Sequence, residues 1–320
     1  CGASIDAGGP MTQGYKALHD GAALLDLSGR GRIRITGEDR ARLLHAMVTN
    51  HVEQLQPGEG CYAFFLNAQG RILGDMNLLR FEDFFLLETE PETRTKSYEH
   101  LDKYIIADDV TLEDATDETT ELGIEGPKAA DVLAAVSAPV PDKPWSHAAW
   151  GERVVARLST TGTPGFAVIG PRREREELAR MLEAAGAVPA GPEDARVVRI
   201  QNGRPRYGED ITEKNLPQET GLLHAIHFNK GCYLGQEIVE RIRSRGGVHR
   251  FLVRLAIEAT EPPAAGTPVT TRGKVVGEIT SAAWSPDAGK VLALGYVRLA
   301  EAPKGTVLEA AGASAAIVSG

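Results

Sequence analysis

The densest chemistry in this chain lies in the run Lys230-Gly231-Cys232-Tyr233-Leu234-Gly235-Gln236-Glu237. A lysine beside a thiol pushes it towards thiolate, because a nearby cation stabilises the anion. Gly231 and Gly235 let the backbone turn tightly and approach another group closely. Gln236 and Glu237 bring an amide and a carboxylate into local reach of that thiol. Arg241, Arg243, Arg245 and Arg250 follow, a basic run able to grip a carboxylate, a phosphate or an acidic partner surface. The same residues also fit a packed cysteine at a turn followed by a solvated basic helix. Spacing leaves both descriptions open.

Elsewhere no nucleophile stands beside a base. His224 and His227 form the closest histidine pair and read as one polar edge of a helix, since no third metal ligand is in register. Asp75 interrupts a largely apolar stretch, Arg71–Leu79. Such a carboxylate either faces solvent by alternation or points into a cleft, and alternation does not decide which.

The elements that must carry these residues follow from periodicity. Arg32-Ile33-Arg34-Ile35 alternates as a strand, and Thr36 with Asp39 forms a capping-box signature for a helix near 38–49 that buries Ala41, Leu44 and Met47. Residues 61–90 divide into three short strands separated by turns, an antiparallel meander. Thr89, Pro91 and Glu92 open a further helix with Tyr98, Leu101 and Ile105 at helical spacing. Ile35, Gly37, Ala41 and Leu44 recur as Ile124, Gly126, Ala130 and Leu133, two strand–helix units expected in one mixed α+β body. Arg173–Ala185 is an amphipathic helix closed by Gly186. Beyond Gly246-Gly247 the chain is β-rich, with Gly or Pro at most boundaries, as in a small antiparallel barrel.

Composition narrows the function classes. The 320 residues hold 35 Lys+Arg against 44 Asp+Glu, a net charge of −9, which disfavours a nucleic-acid partner. No apolar run is long enough for a membrane helix. Three cysteines, none in CxxC spacing, are too few for a self-contained metal centre, so no metal is expected. Residues 1–10 have neither a basic start nor an apolar stretch, and the expectation is a disordered leader before Met11 and a cytoplasmic location.

Lys230–Glu237, with its flanks from Leu216-Pro217-Gln218 to Arg245-Gly246, resembles the signature of the YgfZ-type folate-binding factors for iron–sulfur cluster assembly and repair. These are related to the aminomethyltransferase of the glycine cleavage system, and the chain is similar to that group over nearly its whole length. Tyr62, Leu66-Asn67, Gly70 and Asp75 match one run, Tyr207-Gly208-Glu209-Asp210-Ile211 a second, and Gly277–Ser281, Ser285-Pro286 and Leu294–Val297 the terminal barrel. The resemblance implies an α+β, three-lobed ring with tetrahydrofolate in its centre. It implies a folate-binding region over 11–245 and a C-terminal antiparallel β-barrel over 246–320. It places Tyr62, Asp75, Glu90 and Gln201 against the folate, Gln201 where the relatives have a pterin-reading Glu and Glu90 where they have an Asn. Gly74 replaces an acidic residue, and Gly162-Thr163-Pro164-Gly165-Phe166 lacks the carboxylate of the related motif. A neutral Gln accepts fewer pterin N–H bonds than a carboxylate.

These departures favour a tetrahydrofolate-binding assembly or repair factor, with Cys232 as its thiol and iron–sulfur assembly proteins or client enzymes as partners. A tetrahydrofolate-dependent aminomethyl or methyl transferase using Asp75 is the alternative. A module that docks partners through Arg241–Arg250 without folate is a third.

Overall fold

A strand meander, two strand–helix units and a terminal run of β-strands require three separate apolar cores. The computed structural model, which describes residues 11–319, provides them. The expected leader, with Cys1, lies outside the described residues.

The chain begins with α1 (Gln13–Asp20), β1 (Ala23–Asp26), β2 (Gly31–Thr36) and α2 (Arg40–Met47). The predicted meander follows as β3 (Gly60–Leu66), β4 (Ile72–Arg80) and β5 (Phe85–Thr89), then α3 (Arg94–Asp102) and β6 (Thr111–Asp114). Together they form a five-stranded sheet in the order β3-β4-β5-β2-β6. Ile33, Ile35, Phe65, Met76 and Leu87 of one sheet face pack on Leu44 and Met47 of α2 and on Leu101 of α3. The capping box expected at α2 is absent. Asp39 is the N-cap residue but makes no cap hydrogen bond. Its carboxylate instead accepts from the Asp109 amide at 2.9 Å and pairs with Arg42 at 3.1 Å, because the 108–110 segment returns alongside the helix start.

The second lobe contains β7 (Thr119–Glu125), α4 (Ala129–Ala135), β8 (His147–Trp150), β9 (Arg153–Ala156), β10 (Gly165–Pro171), α5 (Arg175–Ala184) and β11 (Val188–Pro189), followed by α6 (Pro192–Gln201). Its sheet runs β11-β1-β7-β10-β9-β8. The two repeated units are therefore β2–α2 and β7–α4, each strand closing on a glycine of positive φ, Gly37 and Gly126. They do not share one body as expected. β1 pairs with β7 while β2 pairs with β5, so consecutive strands enter different sheets and the link between them crosses the molecule.

After α7 (Gln236–Arg245), the strands β12 (Arg250–Ile257), β13 (Pro268–Thr271), β14 (Lys274–Ser285), β15 (Lys290–Arg298), β16 (Val307–Ala310) and β17 (Ala313–Ser319) close into a barrel ordered β12-β15-β14-β13-β16-β17. Closure leaves no unpaired sheet edge. Its core is built from Val253, Leu255, Ile279, Ala293, Val297 and Ile317.

Smaller apolar contacts join the lobes. Leu79, Leu86, Ala156 and Ile169 link the two sheets. Tyr15, Leu18, Val198, Leu252 and Tyr296 join α1 and α6 to the barrel. The architecture is the expected α+β arrangement of three lobes, and it leaves a cavity of about 720 Å³ between the two sheets, α6 and the 204–209 segment. The barrel supplies none of the residues lining that cavity. Among the described residues no helix is long and apolar enough to cross a membrane.

Candidate functional site

The alternation of β4 decides the question that Asp75 posed. Met76 and Leu78 point into the core under α2, so Asp75 and Asn77 point the other way, into the cavity. Asp75 is 6% exposed. Its Oδ2 accepts a hydrogen bond from the Tyr62 hydroxyl at 2.6 Å, delivered from the neighbouring strand β3. Its Oδ1 is buried with no partner, an acceptor directed at the cavity space. Burial, reinforced by the nearby Glu90 charge, pushes the Asp75 pKa up to about 6. Burial also raises the Tyr62 hydroxyl well above its ordinary range, so Tyr62 donates as a neutral phenol.

Next to this pair, Trp145 Nε1 donates to Asn77 Oδ1 at 2.8 Å, and Asn77 Nδ2 donates to Glu88 at 2.6 Å. His224 lies at the rim, its ring 5.6 Å from that of Tyr62 and 5.4 Å from that of Trp145. His227, expected on the same helical edge, instead meets His51 edge to face at 5.1 Å. The pair sits in a short 3-10 turn and the loop after it, which sends the two rings apart.

The cavity is more heavily charged than the resemblance implied. Arg30, on the link that crosses from β1 to β2, pairs with both Glu88 and Glu90. Glu90 also takes Arg206 Nε at 3.0 Å, and Arg206 holds Glu92 at 2.6 Å. Burial opposes a charge on Glu90, but Arg30 and Arg206 overcome it and hold the carboxyl below its usual range. Arg199 reaches Asp210 at 2.7 Å, and Asp210 is held in turn by Thr280 at 2.6 Å and Ser281 at 2.7 Å of the barrel. The barrel thus acts on the cavity through Asp210 and through the Ala282 carbonyl, which accepts from Arg196 at 2.9 Å. Glu125 is fully engaged with Ser159, Thr160 and Thr161. None of Arg30, Glu88, Arg199, Arg204 or Arg206 was singled out from sequence. Arg204 and Arg206 flank Pro205 just before the Tyr207–Ile211 match, and that adjacency was the available signal.

Of the expected folate contacts, Tyr62, Asp75 and Glu90 line the cavity and Gln201 does not. Gln201 donates to the Tyr15 hydroxyl at 2.6 Å and to Ser285 Oγ at 2.8 Å, bridging α1 and the barrel. Two residues along an α-helix is a rotation of about 200°. Since Arg199 faces the cavity, Gln201 faces away.

The signature stretch lies apart from the cavity. Lys230 donates to the carbonyls of His45, Val48 and Asn50 at the end of α2, using all three of its N–H groups. Burial pushes its pKa down to about 7, while the carbonyl oxygens favour the ammonium form. The expected push of Lys230 on Cys232 is therefore replaced by a clamp on the helix end. Cys232 is exposed and does not line the cavity, so the thiol and Asp75 are not brought together. Gly235 has a φ of 84°, and a Cβ there would sit 2.6 Å from the Asn67 carbonyl, so glycine is required where α7 starts against the β3–β4 turn. Gln236 accepts from the Tyr233 amide at 3.1 Å, and Glu237 is exposed in the first turn of α7. The basic run divides: Arg243 stacks over Phe228 and pairs with Glu240, Arg250 pairs with Glu219, and Arg241 is exposed. The side chain of Arg245 lies outside the described residues.

Lys230→Met is expected to lower stability by about 2 kcal/mol, since three buried carbonyls lose a charged donor. Urea denaturation measures this, and an unchanged midpoint would show that the clamp is dispensable.

An antiparallel sheet and a mixed sheet that enclose a buried carboxylate–phenol pair, with a closed barrel beside them, define the aminomethyltransferase fold. The backbone matches the glycine cleavage system aminomethyltransferase T of Bartonella henselae with a TM-score of 0.88 at 23% identity, covering 96% of this chain and 88% of that one. Residues 8–230 match the GCVT N-terminal domain, and residues 250–316 match the glycine cleavage T-protein C-terminal barrel domain. The chain belongs to the glycine cleavage T-protein family. It is 31% identical over 295 residues to an aminomethyltransferase of Rubrobacter xylanophilus, covering 89% of this chain and 79% of that protein. It is also 30% identical over 289 residues to a chloroplastic protein of Arabidopsis thaliana named as a transferase, covering 88% of this chain and 66% of that one.

Proposed function

We propose that this protein binds tetrahydrofolate in the central cavity and transfers an aminomethyl or methyl group there, with Asp75 as the proton-handling residue. The observation that carries this reading is the buried Asp75 Oδ1, without a partner, in the wall of a partly open cavity of ligand size. The residues fit a polar heterocycle: Asp75 Oδ1 is an open acceptor, and Tyr62, Asn77 and Glu90, each held by hydrogen bonds within the chain, line the wall beside it. Tetrahydrofolate supplies a nucleophilic ring-system nitrogen for the one-carbon unit. Asp75, with a pKa near 6, takes up or releases a proton at Oδ1 near neutral pH, while Tyr62 fixes Oδ2 in place. Relatives named aminomethyltransferase support the same reading. Calorimetric titration of wild type and Asp75→Asn with tetrahydrofolate tests it, and the absence of binding to wild type would overturn it.

A second reading, assistance to iron–sulfur cluster assembly or repair, is favoured by the exposure of Cys232 in its YgfZ-like stretch. One thiol would share any cluster with a partner's ligands. In cells lacking their own such factor, Cys232→Ala is expected to leave the protein folded and lose rescue. Full rescue by that variant would remove the thiol from the function.

A further inference from the structure

Asp75, Glu88, Glu90, Glu121 and Glu125 are carboxylates sunk in the cavity wall. Three of them have both oxygens engaged. Glu88 accepts from Arg30 and Asn77, Glu90 from Arg30 and Arg206, and Glu125 from the 159–161 segment. Asp75 leaves Oδ1 without a partner. Glu121 is the other exception. It is 1% exposed, its Oε2 accepts from Arg32 Nη1 at 3.3 Å, and its Oε1 has no hydrogen bond among the described residues.

Strand register places this second acceptor. Tyr62, Asn77, Glu88 and Arg32 stand directly opposite one another on β3, β4, β5 and β2. Asp75 shares the face of Asn77, two residues along β4. Two strand spacings across and two residues along separate Asp75 from Arg32, roughly 12 Å. Glu121, on β7 of the second sheet, sits against the Arg32 guanidinium. The two unpartnered oxygens therefore stand at opposite ends of one polar wall.

The surroundings of Glu121 narrow what it can take. Arg32 is already its counter-ion, so a neutral N–H donor satisfies Oε1 without adding charge to a buried site. In a reduced pterin the exocyclic 2-amino nitrogen and N5 lie at opposite ends of the ring system, about 6 Å apart, and a hydrogen bond of about 3 Å beyond each gives a span of roughly 12 Å. Gln201 does not serve at either end, since it is turned to Tyr15 and Ser285.

We propose that Glu121 Oε1 accepts from the 2-amino group of the pterin ring, so that Glu121 sets the preference for a 2-amino ligand while Asp75 meets the opposite end of the ring. The proposal rests on the tetrahydrofolate reading of the cavity and adds the residue that selects the ring.

The test is calorimetric titration of the wild-type chain, Glu121→Gln and Glu121→Asp with tetrahydrofolate and with its 2-oxo analogue, in which oxygen replaces the 2-amino group. Wild type should prefer tetrahydrofolate by about tenfold to a hundredfold, because the oxo group sets an acceptor against a carboxylate. Glu121→Gln should weaken tetrahydrofolate by a similar factor and bring the two ligands close to equal, since an amide can donate to the oxo group. Glu121→Asp keeps the charge against Arg32 and the fold with it, withdraws the oxygen by one methylene, and should narrow the preference. Melting curves show which variants fold. A preference that persists unchanged in the folded variants overturns the proposal, as does equal binding of the two ligands by wild type. A merely structural Glu121 would weaken both ligands alike and leave their ratio where it was. If wild type binds neither ligand, the folate reading itself fails and the proposal falls with it.

Discussion

Asp75→Asn is expected to lose about 10²- to 10⁴-fold in one-carbon transfer while the ligand-free protein becomes more stable at pH 8. The two effects have one cause. The Asp75 pKa rises from 3.8 to about 6 on folding, through burial first and the Glu90 charge second. An acid whose pKa is raised on folding holds its proton more tightly in the folded state, so stability is highest at low pH and falls as pH rises through 6. At pH 8 wild type keeps a buried charge with one oxygen unpartnered, at a cost of at most about 3 kcal/mol for a shift of roughly two pK units. Asparagine removes that charge and still accepts from Tyr62. The stability gap between variant and wild type should therefore narrow as pH is lowered from 8 to 4. Turnover assays with an aminomethyl donor, together with urea titrations across that range, measure both effects. Normal turnover in a folded Asp75→Asn protein would remove the carboxylate from the chemistry.

Arg32→Met, behind the cavity wall, should be strongly destabilising, at about 3–5 kcal/mol. Arg32 is fully buried, and its guanidinium donates to the carbonyls of Ser28 at 3.0 Å and Arg30 and Thr116 at 2.9 Å, and to Thr119 Oγ1 at 2.7 Å. It also faces Glu121, a buried cavity carboxylate, at 3.3 Å. Methionine fills the volume but leaves these acceptors unpaired and Glu121 without its counter-charge. The double variant Arg32→Met/Glu121→Gln should recover about 1–2 kcal/mol in urea denaturation. If it is no more stable than the single variant, Arg32 is not acting as the counter-ion of Glu121. The Ser28 and Arg30 carbonyls belong to the link between β1 and β2, so the same arginine also fixes where Arg30 enters the cavity.

Much of the local structure was legible in the chain. Short apolar runs in residues 61–89, set apart by turn residues, specify the meander, and all three strands are buried on both faces. Frequent Gly and Pro between short apolar runs likewise specify the terminal barrel. The capping box at Thr36–Asp39 was misleading because the 108–110 segment, distant in sequence, competes for Asp39. The recurrence of Ile35–Leu44 at Ile124–Leu133 was real as strand–helix units, but not as a single body, since strand partners are chosen by non-local pairing.

The site divides the same way. By itself the sequence determined residue chemistry and local period: a carboxylate at 75 opposite a tyrosine-bearing strand, a glycine at 235 that a turn needs, and a lysine beside a lone thiol. Only the tertiary structure decided where those groups point. It turned Asp75 inward with Tyr62 and Lys230 onto the carbonyls of α2, and it turned Gln201 away towards Tyr15 and Ser285. It also gathered Arg30, Arg199, Arg204 and Arg206 around one cavity. The physical reason is that a side chain's partners, and with them its charge state, are set by segments far apart along the chain.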